Sequence, residues 1–270
     1  MNASLLIGCG SLGKIILDGF RRKKKEIIVY DKDTSVLNKI KLSYKKIRLF
    51  NDLKQINWEN LSYIMICVKP NDCRELLNEL KEYCIEKHVI ISFVAGLQTK
   101  TISSLLKKQE KIVRIMPNIF VTSNNSATAI FSNRLGEKYK KKININFSHF
   151  GCLMWVKKED KLDFFTALFG GGPAYIFYIL MCFQKITKKN GFNTKDSITL
   201  LTTLLEGTVE HIKSDMVDLK TSIKKVASKG GTTEEALKIL VKDGSLYNLF
   251  DRAINKATRK SSKISRSFLK

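Results

Sequence analysis

The sequence feature that most constrains the fold is a glycine pattern near the start of the chain. Residues 8–13 read GCGSLG, which places three glycines at the spacing G-x-G-x-x-G. A strand-like apolar run at 4–7 precedes the pattern, and an amphipathic helical run at 12–20 follows it. In that context the first glycine forms a tight turn, the second admits a pyrophosphate, and the third lets helix and strand pack closely. The pattern therefore predicts a dinucleotide-binding unit.

Strand-like and helix-like segments alternate after this unit, which predicts a parallel doubly wound sheet. The further predicted strands are 27–30, 47–49, 63–68, 89–94 and 112–115, and residues 121–131 and 143–156 are predicted as strand or mixed structure. After about Asp163 the pattern becomes helical, with predicted helices at 173–189, 194–213, 217–227, 232–242 and 245–260 and a frayed tail after Arg259. The sequence thus predicts an α/β Rossmann-type domain at 1–162 and an all-α C-terminal domain at 163–270.

Charge and cysteine usage narrow the functional class. The chain has 48 Lys and Arg against 25 Asp and Glu, a net charge of +23. The basic runs are not interleaved with aromatic residues as a base-stacking platform requires, so a solvated surface is favoured over nucleic-acid binding. Six cysteines without a CxxC pair indicate a reducing, cytoplasmic location. Three isolated histidines predict no metal site.

One uncharged segment resembles a membrane span in composition. Residues 166–183 carry no charged side chain and approach the minimum length for spanning. Gly170, Gly171, Gly172 and Pro173 interrupt the segment early. We therefore predict a helix buried between subunits or domains, and no membrane partner.

The second predicted strand ends at a pair of residues that bear on the cofactor. Asp31 is placed to accept hydrogen bonds from the ribose hydroxyls of NAD, whereas Lys32 is placed to meet the extra phosphate of NADP. NADH and NADPH therefore both remain open as cofactors. Because ligands of parallel sheets bind beyond the carboxyl ends of the strands, other strand ends should line the same crevice. The predicted cofactor contacts are Gly8, Cys9, Gly10, Ser11, Leu12, Gly13, Asp31, Lys32, Asn51, Val68, Lys69, Pro70, Ala95 and Gly96.

A second glycine pattern lies in the helical half, where residues 228–233 read SKGGTT. Two glycines permit positive φ, and Thr232 with Glu235 fits a capping box at the start of an amphipathic helix. Free backbone N–H groups at a helix start attract anions, so this segment could hold a small carboxylate.

Six motifs in the same order together resemble the pyrroline-5-carboxylate reductase family. They are IGCGSLGKIIL at 7–17, ICVKP at 66–70, ISFVAG at 91–96, VRIMPN at 113–118, TALFGGGPAYIF at 166–177 and ASKGGTTEEALKIL at 227–240. The resemblance implies an N-terminal Rossmann domain and a helical C-terminal dimerisation domain, with dimers often assembled into rings. It also implies NAD(P)H-dependent reduction of 1-pyrroline-5-carboxylate to L-proline, the last step of proline biosynthesis.

The resemblance also assigns roles to residues. Thr233 would be the catalytic hydroxyl nearest the substrate's ring nitrogen, and Met116 and Asn118 would touch the nicotinamide end of the cofactor. The residues that would hold the substrate carboxylate are Ser228, Gly230, Gly231, Thr232 and Thr233. A protonated cyclic imine already carries positive charge, which hydride addition neutralises, so this chemistry demands no strong general acid.

This chain departs from the family pattern at three places. Lys229 replaces a proline in the substrate loop, Gly171 replaces a serine, and residues 222–224 read SIK in place of Leu-Lys/Arg-Asp. These changes predict a looser loop and a lower catalytic efficiency.

Two alternative functions remain at this point. A dehydrogenase of the β-hydroxyacid type would need a lysine shortly after the glycines of the second domain, and Lys185, the only nearby candidate, lies about three turns further on. A non-enzymatic protein that binds a partner or nucleic acid through its basic surface is the other alternative.

Overall fold

The structure is a computed structural model that describes residues 3–22, 26–44, 46–107, 109–132, 136–215 and 218–268. Contacts within the chain divide it into two compact units. The first comprises Met1–Gly171 together with Asn255–Lys270, and the second comprises Gly172–Ile254. The predicted domain boundary after residue 162 stays a prediction.

The first unit is built on an eight-stranded sheet in the order β3-β2-β1-β4-β5-β6-β7-β8. The strands are β1 (Ala3–Ile7), β2 (Ile27–Tyr30), β3 (Arg48–Phe50), β4 (Leu61–Ile66), β5 (Val89–Ser92), β6 (Ile112–Met116), β7 (Ser126–Phe131) and β8 (Gly151–Trp155). Neighbours from β3 through β6 are parallel, and the order 3-2-1-4-5-6 is that of a Rossmann fold. The predicted fold class is confirmed.

The parallel arrangement ends at β6, because β7 runs antiparallel to it. A parallel neighbour needs a crossover of about a dozen residues or more, and the short connection between β6 and β7 holds only a 3₁₀ segment at Ile119–Ser123. The last strand, β8, is parallel to β7. Within the stretch predicted as strand or mixed structure, β7 and β8 are therefore strands, joined through a helix.

Helices cover both faces of this sheet. They are α1 (Ser11–Arg22), α2 (Thr34–Ser43), α3 (Cys73–Leu80), α4 (Thr99–Leu105), α5 (Glu137–Phe147) and α6 (Lys161–Phe165). Because side chains of a strand alternate between faces, Leu6 of β1 packs into one core with Phe20 of α1, whereas Leu5 packs into the other with Leu77 of α3. The carboxyl ends of β1, β2 and β4 thus belong to a sheet that is packed on both faces.

The rest of the chain is helical, as predicted. A π-helical turn at Thr166–Gly170 is followed by α7 (Gly172–Lys189), α8 (Thr194–Asp215), α9 (Leu219–Val226), α10 (Thr232–Val241) and α11 (Ser245–Ser267). These ends lie within a few residues of the predicted ones except at α11, and Val217, the predicted start of the third helix, lies outside the described residues. The first part of α11 belongs to the second unit and its remainder to the first.

The second unit leaves many large apolar side chains exposed. Among its described residues Leu201 and Ile254 are buried, while Phe177, Leu204 and Tyr247 are more than half exposed. The stretch Lys161–Lys189 has a mean hydropathy of 1.5 in its most apolar window, so by length and composition alone it could cross a membrane. The predicted burial of this helix between subunits or domains stays a prediction.

The prediction of a frayed tail after Arg259 is wrong. Helix α11 continues to Ser267 because its last turns pack on the first unit. Ser261 and Ser262 donate hydrogen bonds from their Oγ atoms to the two carboxylate oxygens of Asp163, at 2.6 and 2.9 Å. Phe268 is buried in the core beside α3, and Arg74 donates to its carbonyl oxygen at 3.0 Å.

Candidate nucleotide and substrate sites

The glycine loop connects β1 to α1 and is closed tightly on two sides. Gly8 has φ +86°, and a Cβ there would lie 2.7 Å from the carbonyl oxygen of Cys67. A Cβ on Gly13 would lie 2.2 Å from the carbonyl oxygen of Gly8. Gly10, in contrast, is exposed and has no heavy atom within 4 Å of the corresponding position. The loop therefore presents bare backbone at Gly10, as close approach of a pyrophosphate requires.

Asp31 ties this loop to the end of β2. The backbone N–H of Cys9 donates to Oδ2 of Asp31 at 2.8 Å, and the backbone N–H of Asp33 donates to Oδ1 at 3.0 Å. Each oxygen keeps a further lone pair with which it can accept from a ribose hydroxyl. The carboxylate is thus held in place before any ligand arrives.

A cavity of about 380 Å³ opens beyond the ends of β1, β2 and β4. Six of the predicted cofactor residues line it, namely Gly8, Gly10, Asp31, Lys32, Val68 and Lys69. Tyr30, Asp33, Asp72, Glu75 and Glu79 line it as well, and the sequence analysis did not single them out. The signal that could have found Asp72 is its position just after the Val68-Lys69-Pro70 strand end.

The cavity is rich in carboxylates although the chain is strongly basic. Its lining includes Asp31, Asp33, Asp72, Glu75 and Glu79 against two lysines, Lys32 and Lys69. Nζ of Lys32 lies 3.1 Å from Oδ1 of Asp72. This hydrogen bond, followed by the charge of Asp72 and more weakly of Glu75 and Glu79, raises the pKa of Lys32.

Several other predicted cofactor residues lie in the core, in secondary structure or in a neighbouring cavity. Cys9 is buried, and burial, followed by the charge of Asp31, raises the pKa of its thiol to about 12, so the thiol stays neutral at physiological pH. Ser11 and Leu12 begin α1, and Pro70 begins the 3₁₀ turn that carries Asp72. Asn51 follows β3 and lines a neighbouring cavity that shares Tyr30 and Glu79 with the first.

Ten of the sixteen predicted contacts lie outside the lining of this cavity: six have been described above, and the other four are Ala95, Gly96, Met116 and Asn118. Met116 is buried in a small core cluster, against which Ala95 packs. Asn118 accepts from the backbone N–H of Phe120 at 3.0 Å and donates to the carbonyl oxygen of Phe169 at 3.1 Å. Gly96 has φ +77°, and a Cβ there would lie 2.8 Å from the backbone nitrogen of Ser265 in α11. Contact of these residues with a cofactor stays a prediction.

The predicted substrate loop belongs to the second unit and leads into α10. Gly230 has φ +75° with open space around it, and the backbone N–H of Gly231 donates to the carbonyl oxygen of Ser228 at 3.0 Å. Ser228 and Thr232 are exposed, and Thr233 is half-buried. In the part of the chain that the structure describes, the Thr232 and Thr233 hydroxyls have no hydrogen-bond partner. The start of α10 therefore presents donors to solvent.

The capping box predicted for Thr232 and Glu235 is wrong by one residue. Gly231 is the N-cap residue, and Glu234, three positions later, accepts from the backbone N–H of Gly230 at 2.8 Å. Glycine is acceptable at an N-cap and leaves no side chain to bond the helix start, so the reciprocal bond of a capping box is missing. Counting the box from Gly231 would have identified Glu234.

No group of three or more His, Cys, Asp or Glu side chains that could hold a metal ion occurs among the described residues. The open backbone at Gly10, the tight packing at Gly8 and Gly13 and the anchored Asp31 fit a dinucleotide instead. Fold and cavity together define a Rossmann-type dinucleotide-binding protein with an added helical unit.

Two family models match the chain in the same arrangement. A model described as NADP oxidoreductase coenzyme F420-dependent matches residues 5–96, and a model described as pyrroline-5-carboxylate reductase dimerisation matches residues 159–264. The pyrroline-5-carboxylate reductase of Aquifex aeolicus (strain VF5) is 31% identical over 263 residues, which cover 96% of either chain. The chain belongs to the pyrroline-5-carboxylate reductase family.

Solved structures of the same family share the fold along nearly the whole chain. A pyrroline-5-carboxylate reductase from Coxiella burnetii is 28% identical with a TM-score of 0.85, and 98% of either chain is covered. The Plasmodium falciparum pyrroline carboxylate reductase with NADP bound is 24% identical with a TM-score of 0.84, and 98% of either chain is covered. The resemblance seen in the six motifs is confirmed.

Proposed function

We propose that this protein reduces 1-pyrroline-5-carboxylate to L-proline with NADH or NADPH, the last step of proline biosynthesis. The observation that carries the proposal is the glycine loop, open at Gly10 and anchored by Asp31, in a chain that belongs to this family along nearly its whole length.

The first unit provides the nucleotide site. Backbone at Gly10 meets the pyrophosphate, and Asp31 accepts from the ribose of the adenosine half. The bound nicotinamide nucleotide supplies the hydride. Val68 and Lys69, at the end of β4, form the adjoining wall of the cavity and help to exclude water.

The second unit provides the carboxylate site, at the start of α10. The backbone N–H groups of Thr232 and Thr233 belong to the first turn of the helix, where they lack an intrahelical acceptor and favour an anion. Open space at Gly230 lets a small carboxylate approach. The hydroxyl of Thr233, without a partner among the described residues, is available to donate to the substrate near its ring nitrogen.

The chemistry asks these residues to hold and orient the substrate more than to transfer protons. The protonated imine loses its positive charge when hydride adds to its carbon, so the reaction needs no strong general acid. Fixing the imine at near-attack distance is worth several kcal/mol, up to about 7–11 in well-oriented systems.

The second unit also supports a homodimer. Its exposed apolar side chains, together with the match to a dimerisation family model, are typical of a surface that a second copy covers. By the family resemblance we propose that dimers assemble into a larger ring. Six free cysteines support a cytoplasmic location, and no membrane or nucleic-acid partner is proposed.

The test is oxidation of NADH and NADPH by the purified protein with 1-pyrroline-5-carboxylate, for the wild type and for Thr233→Ala. We expect kcat/KM to fall on the order of 10²-fold in the variant, as for loss of one well-placed donor. Thr203→Ala on α8 is the matched control, because its exposed hydroxyl donates only to the carbonyl oxygen of Thr199. Absence of turnover with either nucleotide would overturn the proposal.

The comparisons do not support the two alternatives, and substrate assays would distinguish them. A β-hydroxyacid dehydrogenase would oxidise neither nucleotide with 1-pyrroline-5-carboxylate; with a β-hydroxyacid and the oxidised nucleotide it would lose turnover in Lys185→Ala and keep it in Thr233→Ala. A non-enzymatic binding protein would show salt-dependent binding to nucleic acid and no nucleotide oxidation.

A further inference from the structure

The cavity at the end of β2 has a local charge opposite to that of the whole chain. Five carboxylates and two lysines line it, while the chain as a whole carries +23. NADPH differs from NADH by a phosphate on the adenosine ribose, which would enter this cavity when Asp31 holds the ribose. The phosphate carries between one and two negative charges at neutral pH, so its nearest neighbours decide whether the site accepts it.

The carboxylate of Asp31 would repel that phosphate, and two hydrogen bonds hold the carboxylate in place. Its two oxygens accept from the backbone N–H groups of Cys9 and Asp33 at 2.8 and 3.0 Å. Rotation of the carboxylate would leave the partly buried N–H group of Cys9 without an acceptor, which disfavours the movement, whereas the exposed N–H group of Asp33 could bond to water. The negative charge therefore stays where the ribose binds.

Lys32 is the residue that would have to neutralise the phosphate, and it is already paired. Its Nζ lies 3.1 Å from Oδ1 of Asp72 across the cavity, with side-chain exposures of 65% and 40% for Lys32 and Asp72. Glu75 and Glu79, on α3, add to the negative field that Lys32 experiences. An exposed pair of this kind is weak, so Asp72 competes with a bound phosphate for the lysine ammonium and does not lock its position.

We propose that the Lys32–Asp72 pair makes this enzyme select NADH over NADPH, with Asp72 as the residue that determines the specificity. Asp72 competes with the ribose phosphate for Lys32 and adds a negative charge that repels the phosphate. The inference rests on the proposed function, because it assumes that the cavity binds a nicotinamide nucleotide.

The test measures dissociation constants of NADH and NADPH by isothermal titration calorimetry on the full chain, without substrate or turnover. We expect the wild type to bind NADH about tenfold more tightly than NADPH, a discrimination made by repulsion of the second ligand. In Asp72→Asn the ratio of the two constants should move about fivefold toward NADPH. Adding Lys32→Ala to this variant should remove the part of the gain that comes from the freed ammonium and leave the part that comes from loss of the Asp72 charge.

Glu59→Gln is the matched control, because it also removes one carboxylate from an exposed ion pair in the first unit, with Lys87, away from the cavity. The ratio of the NADH and NADPH dissociation constants in Glu59→Gln should equal that of the wild type. Wild-type preference for NADPH, or an unchanged ratio in Asp72→Asn, would overturn the inference while leaving the reductase function intact. Absence of binding by both nucleotides would overturn the reductase function and this inference together.

Discussion

Asp31 and Cys9 are joined by a hydrogen bond in which the backbone N–H of Cys9 donates to Oδ2 of Asp31 at 2.8 Å. The bond connects the end of β2 to the loop between β1 and α1. It makes one carboxylate responsible both for the shape of the glycine loop and for the proposed ribose site beside it. The two functions should therefore fail together when the carboxylate is removed.

Asp31→Ala tests this coupling. The variant leaves the partly buried N–H group of Cys9 without its acceptor, while the exposed N–H group of Asp33 can bond to water, so we expect the free energy of unfolding to fall by about 1–3 kcal/mol. NADH binding measured by calorimetry should weaken in the same variant. Asp218→Ala removes an acceptor that caps α9 in the second unit, where Thr221 donates at 3.1 Å, and should lower stability while NADH affinity persists. Equal stability and affinity in Asp31→Ala and wild type would contradict the coupling.

The glycine loop offers a pair of substitutions with different expected outcomes. Gly10→Ala adds a methyl group into open space, so thermal unfolding should stay near the wild-type temperature while nucleotide affinity falls on the order of tenfold. Gly13→Ala places a methyl group 2.2 Å from the carbonyl oxygen of Gly8, so stability and binding should both drop. The unfolding temperature from scanning calorimetry and the nucleotide affinity from titration, measured on both variants, check these expectations. Normal binding in Gly10→Ala would show that the pyrophosphate lies elsewhere.

His88 should make stability depend on pH. The ring is buried, Nδ1 accepts from the backbone N–H of Ile85 at 3.2 Å, and Nε2 donates to the carbonyl oxygen of Trp58 at 3.0 Å. Burial lowers the pKa of His88, so the folded state favours the neutral ring. As pH falls below the ordinary value of about 6.5, the unfolded chain binds the proton first and stability declines.

Urea unfolding between pH 7.5 and 5.5 checks the His88 prediction. His88→Gln should be less stable than wild type at pH 7.5, and its free energy of unfolding should change less with pH over this range. His211→Gln, which alters an exposed histidine, should keep the wild-type slope. A wild-type slope in His88→Gln would refute the assignment.

Asp163 should hold the end of α11 on the first unit. Asp163→Ala removes the acceptor of both Ser261 and Ser262, so we expect a loss of about 1–3 kcal/mol and faster amide exchange at 259–267. Asp160→Ala serves as control, since Asp160 is exposed in the same segment and its side chain does not cap α6. Unchanged exchange at 259–267 in Asp163→Ala would mean that other contacts hold the helix.

Local patterns in the sequence predict the parts of the fold that depend on local chemistry. The glycine loop and the strand before it could be predicted because both rest on spacing and composition over a few residues. The end of α11 could not, because the residues after Arg259 are basic and serine-rich and look solvated. Their stabilising contacts come from residues far away in the sequence, such as Asp163 and Arg74.

The nucleotide cavity shows the same division. Asp31 could be predicted from its place after β2. The charged residues around it, in contrast, come in part from α3 and the turn before it, which is a different segment of the chain. In the sequence, Lys32 beside Asp31 leaves the choice between NADH and NADPH open. Only the three-dimensional arrangement brings Asp72 within 3.1 Å of Lys32.

The return of α11 to the first unit has a consequence for the order in which the protein is made. Phe268 completes a core whose other members, such as Leu5 and Leu77, are synthesised much earlier. During translation the core of the nucleotide-binding unit therefore lacks this side chain until residues through Phe268 have left the ribosome. Through that interval its unfinished apolar surface is exposed to chaperones and to neighbouring nascent chains.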